Sequence, residues 1–236
     1  MVTQTSVLIT SAAFLGIIHT VLGPDHYLPF IALSKAGNWN KSKTATITIL
    51  CGIGHIISSV IIGLLGILFG WAIFSIESFE SMRGDIAAWL LIIFGVAYTI
   101  WGLYRFIKGN IRKHPHYHSN GIFHNHRHET GQEHSHSDVS GKMNVSPWAM
   151  FIIFIFGPCE PLIPIIMYPA AEYNFYLVLI VSLIFSITTI LTMLIMTFVG
   201  LYGLNILSVK KMEKYIHIIA GLTILLCGIS VKFLGL

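Results

Sequence analysis

The sequence predicts an all-α integral membrane protein: six transmembrane helices arranged as two inverted three-helix repeats, the first and fourth helices broken at Gly-Pro. Three observations predict it. Of 236 residues, 55% are hydrophobic and only 10% charged, with a mean hydropathy of +0.77. Six apolar stretches are long enough to cross a bilayer, which takes about 20 residues. Two of them carry the same helix breaker beside ligand-type side chains, as His19-Thr20-Val21-Leu22-Gly23-Pro24-Asp25-His26 and as Gly157-Pro158-Cys159-Glu160-Pro161.

The first span, 6–32, holds Gly23 and Pro24, which end or kink a helix, and Pro29 beyond them. The second, 44–70, carries Cys51, His55 and the hydroxyl pair Ser58-Ser59. The third, 85–107, contains Ile92-Ile93-Phe94-Gly95 and then Gly102. The fourth, 147–170, repeats Gly-Pro and the later proline as Pro164. The fifth, 174–204, answers Ser58-Ser59 with Thr188-Thr189. The sixth, 214–235, answers the third with Ile218-Ile219-Ala220-Gly221 and then Gly228. Three matches in the same order point to an internal duplication. An odd number of helices per repeat places the halves in opposite orientations, the plan of many secondary transporters. The units are 1–109, a linker at 110–146, and 147–236.

Charge gives the orientation. Lys35, Lys41 and Lys43, then Arg105, Lys108, Arg112, Lys113, Arg127 and Lys142, then Lys210, Lys211 and Lys214 make 12 of the 14 basic residues on one side. Arg83 and Lys232 fall on the other, with Glu77, Glu80, Asp85 and Glu172. The positive-inside rule puts both termini outside the cytoplasmic (inner) membrane and the linker in the cytoplasm. The net charge of +4 is thus a topology signal, and no nucleic-acid partner is expected. Residues 1–6 lack a basic n-region, so the first helix is expected to be retained. Cys51, Cys159 and Cys227 all fall within spans and form no secreted disulfide pattern.

Ionisable groups at membrane depth are costly and mark functional sites. His19 and His26 would lie about 10 Å apart along an unbroken helix, too far for one ion. Unwinding at Gly23 and Pro24 can bring His19, Asp25 and His26 together, with freed backbone carbonyls nearby. Imidazole with carboxylate suits nickel, cobalt, zinc or ferrous iron. Otherwise the segment is a proline kink whose polar residues bond to neighbouring helices. Cys159 and Glu160 pair a soft ligand with a hard one; the plainer reading is a buried thiol and a satisfied carboxylate. Cys51 and His55 share a helix face; His55 is expected to join the site and Cys51 to fill space. Ser58, Ser59, Thr188 and Thr189 either line a path or bond back to their own helix. His217 and Cys227 read as structural. The linker carries His114, His116, His118, His124, His126, His128, His134 and His136, a composition for loose metal contact in a segment unable to bury a core.

The segment His19 to His26 resembles the signature of the nickel/cobalt transporter family, a His followed at short spacing by Asp-His in a membrane helix. Over nearly its full length the chain is similar to the six-helix branch described as nickel-transporter-like urease accessory membrane proteins. There, Gly-Pro-Asp-His and Gly-Pro-Cys-Glu-Pro accompany a His-rich central loop. The resemblance implies a secondary transporter and no enzyme. The cargo would be nickel or cobalt, with zinc or ferrous iron behind, held by His19, Asp25, His26, His55, Cys159 and Glu160. It implies no prosthetic group, and the lipid bilayer and a cytoplasmic metallochaperone as partners. No Walker motif is present, so this chain hydrolyses no ATP.

The alternative is a transmembrane thiol–disulfide reductant conductor of the cytochrome c biogenesis class. That class resembles this chain in helix number, inverted repeats and proline–cysteine pairs in its broken helices. Electron relay needs two exchangeable cysteines. Asp25 stands opposite Cys159, so Cys51 or Cys227 would have to be the second. A third reading, an exporter of sulfite or another small anion, calls for Arg or Lys at depth, and no span has one at its centre. A membrane metal sensor is the fourth; paired broken helices favour transport over it.

Overall fold

On α7, Leu179, Leu183, Ile187, Leu191, Ile195 and Val199 recur every fourth residue and are all exposed, while Val181, Phe185, Thr189 and Met193 on the same helix are buried. An apolar stripe turned outward with a packed stripe behind it is the surface of a helix that meets lipid. In the computed structural model, which describes residues 2–69, 73–111, 145–159, 161–172, 174–206 and 214–234, every regular element is helical. The helices are α1 (Val2–Leu22), a 3-10 turn (Pro24–His26), α2 (Leu28–Ala36), α3 (Lys41–Leu68), α4 (Ile73–Ile111), α5 (Val145–Phe156), α6 (Leu162–Ala171), α7 (Phe175–Ile206) and α8 (Ile216–Leu234). Five of them are long and apolar enough to cross a membrane: α1, α3, α4, α7 and α8. The protein is an all-helical, multi-pass membrane protein set in a lipid bilayer. The linker histidines and Glu160 lie outside the described residues.

Both breaks fall at Gly-Pro. The α1 helix stops at Leu22 because Pro24 has no N–H to continue it, and Gly23 before the proline is extended at φ −87°, ψ 92°. The Gly23 N–H still reaches the His19 carbonyl at 2.9 Å, and the His26 N–H turns back to Gly23 at 3.1 Å. The α5 helix stops at Phe156, one residue before Gly157-Pro158, and α6 begins after Pro161. These two short apolar helices share the predicted fourth span.

The third span is corrected. Glu77, Glu80 and Arg83 are expected in a loop on its outer side, with the helix starting at 85. The structure carries α4 back to Ile73 and buries Glu80 and Arg83 within it. No proline interrupts 73–85, and Glu80 and Arg83, three apart on one helix, neutralise each other.

The α4 and α8 helices form the closest crossing. A Cβ on Gly95 would stand 2.5 Å from the Leu225 backbone nitrogen, and one on Gly221 would stand 2.5 Å from the Thr99 nitrogen. Farther along, Gly102 faces His217 and Ile218, and Gly228 faces Leu91 and Ile92. The numbering shift that carries Gly95 onto Gly221 also carries Thr99 onto Leu225, Gly102 onto Gly228, and Leu91 and Ile92 onto His217 and Ile218. The contact is therefore reciprocal and antiparallel. Without a hydrophobic drive between helices in lipid, small residues that allow such approach supply the packing. Other pairings match in kind: α1 packs on α7 as α5 packs on α3, and α2 on α8 as α6 on α4.

Candidate functional site

Three histidines converge where α1 breaks. His19 closes the last turn of α1, His26 ends the 3-10 turn, and His55 projects from α3. The His19 and His26 rings lie 4.7 Å apart and those of His26 and His55 5.2 Å apart, both edge to face. One ring nitrogen of each lies within 4.8 Å of the other two. His26 and His55 are each only 3% exposed. The His19–His26 approach is what unwinding at Gly23-Pro24 achieves, since seven residues of helix would hold the rings about 10 Å apart.

Two of the three rings have a posture fixed by a hydrogen bond. His26 Nδ1 donates to Asp25 Oδ1 at 3.0 Å. His55 Nδ1 donates to the Phe154 carbonyl at 3.3 Å, since that oxygen can only accept. With hydrogen on Nδ1, each Nε2 keeps its lone pair. The Nε2 atoms of His19, His26 and His55 are buried and make no hydrogen bond. The Phe154 ring sits 6.4 Å from His26 and 6.1 Å from His55, forming one wall. Glycine makes room: a Cβ on Gly157 would meet His55 Nδ1 at 2.8 Å, and one on Gly23 would meet His26 Nδ1 at 2.7 Å.

The second break is held by a buried ion pair that the sequence reading leaves out. Arg83 pairs with Glu80 through Nη1, which also donates to Ser59 Oγ at 3.3 Å. Its Nη2 donates to Ser58 Oγ at 2.7 Å and to the carbonyls of Ile155 at 2.6 Å and Gly157 at 3.3 Å. Glu80 Oε2 accepts from Ser59 Oγ and from the Cys159 backbone N–H, both at 3.1 Å. The carbonyls a helix leaves orphaned at its C-terminus are thus satisfied by Arg83 and His55. A signal existed: Glu80 and Arg83 at i,i+3 beside an apolar run, with a hydroxyl pair on the preceding helix. Arg83 is thus a buried cation inside α4, where the sequence reading expects no Arg or Lys at depth, and five hydrogen bonds tie it to Glu80, the hydroxyl pair and the second break.

Among the expected site residues, His19, His26 and His55 come together, and Asp25 stands behind His26. Cys159 is fully buried in an apolar cluster with Ala12, Leu162 and Phe185. Its thiol is not among the ligand atoms that cluster within 4.8 Å of one another. Cys51 belongs to a separate cluster with Phe30, Phe154 and Met193, as a space-filling residue should. Ser58 and Ser59 serve Arg83 and Glu80. Thr188 bonds back to the Ile184 and Phe185 carbonyls. His217 is a structural partner of the Tyr98 hydroxyl at 3.2 Å.

Long apolar helices, two proline-broken segments and buried polar groups at each break define the class: a polytopic membrane protein organised around discontinuous helices. The chain belongs to the cytochrome c biogenesis protein transmembrane region family, whose model matches residues 27–230. Comparison with curated proteins and with solved structures gives no match. The match overturns the expected membership of the nickel/cobalt transporter family, and with it the reading as a carrier of nickel or cobalt ions. The physical reason is one of extent. The family match runs over 27–230, most of the chain, whereas the His19 to His26 signature lies wholly before it.

Proposed function

We propose that the protein conducts reducing equivalents across the membrane by thiol–disulfide exchange, with Cys159 as the exchanging thiol. The observation that carries this is the family match over 27–230, which takes in a cysteine set between Pro158 and Pro161 in a broken helix. Pro158 and Pro161 leave that segment short of helical hydrogen bonds, so it is the part of the helix able to open. The chain acts as a conductor and not as an enzyme on a small molecule.

The exchange balances as follows. The Cys159 thiolate attacks one sulfur of an incoming disulfide; that S–S bond breaks and the leaving sulfur takes a proton. A second thiol attacks the resulting mixed disulfide and releases the reduced partner, which has gained two electrons and two protons. The chain is left with a disulfide, and a dithiol protein on the opposite face restores it by the reverse steps. Cys51 and Cys227 are the chain's other thiols; Cys227 lies on α8, the helix packed on the 3-10 turn of the first break.

We read α1 with α2, and α5 with α6, as single interrupted crossings. That gives six crossings in two inverted repeats, supported by the reciprocal Gly95–Leu225 and Gly221–Thr99 contacts. The distribution of Lys and Arg places both termini outside the cytoplasmic membrane and the His-rich linker inside.

The test is to trap thiols by acid quench and alkylation in native membranes, under oxidising and reducing conditions. Cys159 should change between alkylated and protected, and a mixed disulfide with a partner should be captured in the wild type and lost in Cys159→Ala. A Cys159 that stays reduced under both conditions overturns the proposal.

A further inference from the structure

The thiol chemistry leaves the three histidines unused, and the geometry points to a resident transition-metal site formed by His19, His26 and His55, with Asp25 orienting His26. The site goes beyond the reductant reading and does not depend on it. Three observations carry it. The ring nitrogens cluster within 4.8 Å. The three Nε2 atoms are buried and make no hydrogen bond. The Nδ1 atoms of His26 and His55 are already donating, to Asp25 and to the Phe154 carbonyl. Burying an unpaired acceptor opposes folding, and two of them beside the equally unpaired Nε2 of His19 compound that. A single cation that takes all three lone pairs removes the conflict.

The donor set selects the ligand. Neutral imidazoles suit zinc, copper and their first-row neighbours, and suit magnesium or calcium poorly. A tetrahedral zinc with bonds of about 2.05 Å places its ligand atoms about 3.3 Å apart, so separations of up to 4.8 Å need shrink by no more than about 1.5 Å. Three protein ligands leave the fourth position for water or another ligand. Asp25 then plays the outer part familiar from metal centres, holding the tautomer and ring angle of a ligating histidine. Asp25 is thereby an orienting residue and His55 a ligand supplied by a different helix. The ion would tie α1, the 3-10 turn and α3 together across the first break.

Zinc is the probe, and the linker histidines must be silenced first. Full-length protein carrying Asn at His114, His116, His118, His124, His126, His128, His134 and His136 is purified in detergent, loaded with zinc and dialysed. About one zinc per chain should remain, and absorption spectroscopy at the zinc edge should show nitrogen and oxygen neighbours only. His55→Asn keeps a donor for the Phe154 carbonyl and should lower zinc affinity at least tenfold with the unfolding temperature of the zinc-free protein little changed. Asp25→Asn should lower it roughly tenfold while keeping the stoichiometry. Cys159→Ala should keep the zinc, which separates this site from the thiol reading. Failure to retain zinc, retention indifferent to His19, His26 and His55, or a sulfur neighbour at the edge would each overturn the assignment.

Discussion

The Glu80 carboxylate accepts the backbone N–H of Cys159 at 3.1 Å. That bond reaches from the N-terminal part of α4 into the interruption between α5 and α6, and Arg83 one turn later takes the carbonyls on the other side of the same interruption. One ion pair therefore satisfies both a donor and acceptors that proline leaves without helical partners. The three-histidine cluster lies at the other Gly-Pro interruption, between α1 and α2.

Removing Arg83 should be severe. Arg83→Leu leaves the Glu80 carboxylate buried without its counter-charge, a loss of about 3–5 kcal/mol. Thermal unfolding in detergent measures it. Lys232→Ala is the control, since Lys232 and Asp85, 2.6 Å apart, are partly exposed and worth about 0–1 kcal/mol. Equal effects from the two substitutions would refute the special role of the buried pair.

The α4–α8 crossing gives a prediction with its own internal contrast. Gly95→Ala and Gly221→Ala each place a methyl 2.5 Å from backbone that cannot swing aside. Each should cost about 1–3 kcal/mol or more by overpacking. Gly203→Ala meets nothing within 4 Å and should be tolerated. Comparable unfolding temperatures for all three would show the crossing to be looser than described.

Gly157→Ala tests the link between the two breaks. Its methyl would meet His55 Nδ1 at 2.8 Å and push the ring from the Phe154 carbonyl. Zinc affinity should fall roughly tenfold, as for loss of an orienting partner. Titration of the linker-silenced protein reads it directly, and an unchanged affinity would remove Gly157 from the site.

Cysteine substitutions identify the second thiol. Removing the thiol that resolves the mixed disulfide should lengthen that species' life, so one of Cys51→Ala and Cys227→Ala should accumulate it on non-reducing gels. The other should behave as wild type. Cys159→Ala should form none. Accumulation in neither variant would overturn the resolving step within the chain, because the partner's own thiol can only reverse the exchange.

Much of the fold is legible in one dimension. Hydropathy marks the long helices because lipid offers no partner to a bare backbone, and Gly23-Pro24 and Gly157-Pro158 mark both breaks because proline lacks the donor a helix needs. The start of α4 is not legible in this way. Glu80 and Arg83 look like loop residues until a helix face sets them side by side. The family is not legible in this way either: helix number and Gly-Pro breaks fit both candidate families, and the ligand-type residues beside the breaks point to the one that the match over 27–230 overturns.

The sequence by itself determined that the protein is helical, apolar and twice interrupted, since those properties follow from local composition and from proline's missing N–H. Only the tertiary structure decided which polar groups meet. His55 reaches His19 and His26 because α3 packs beside the first break, and Glu80 reaches Cys159 because α4 packs beside the second. Such meetings depend on helix rotation and crossing, set by close contacts such as Gly95 against Leu225, and no spacing along a single chain encodes them.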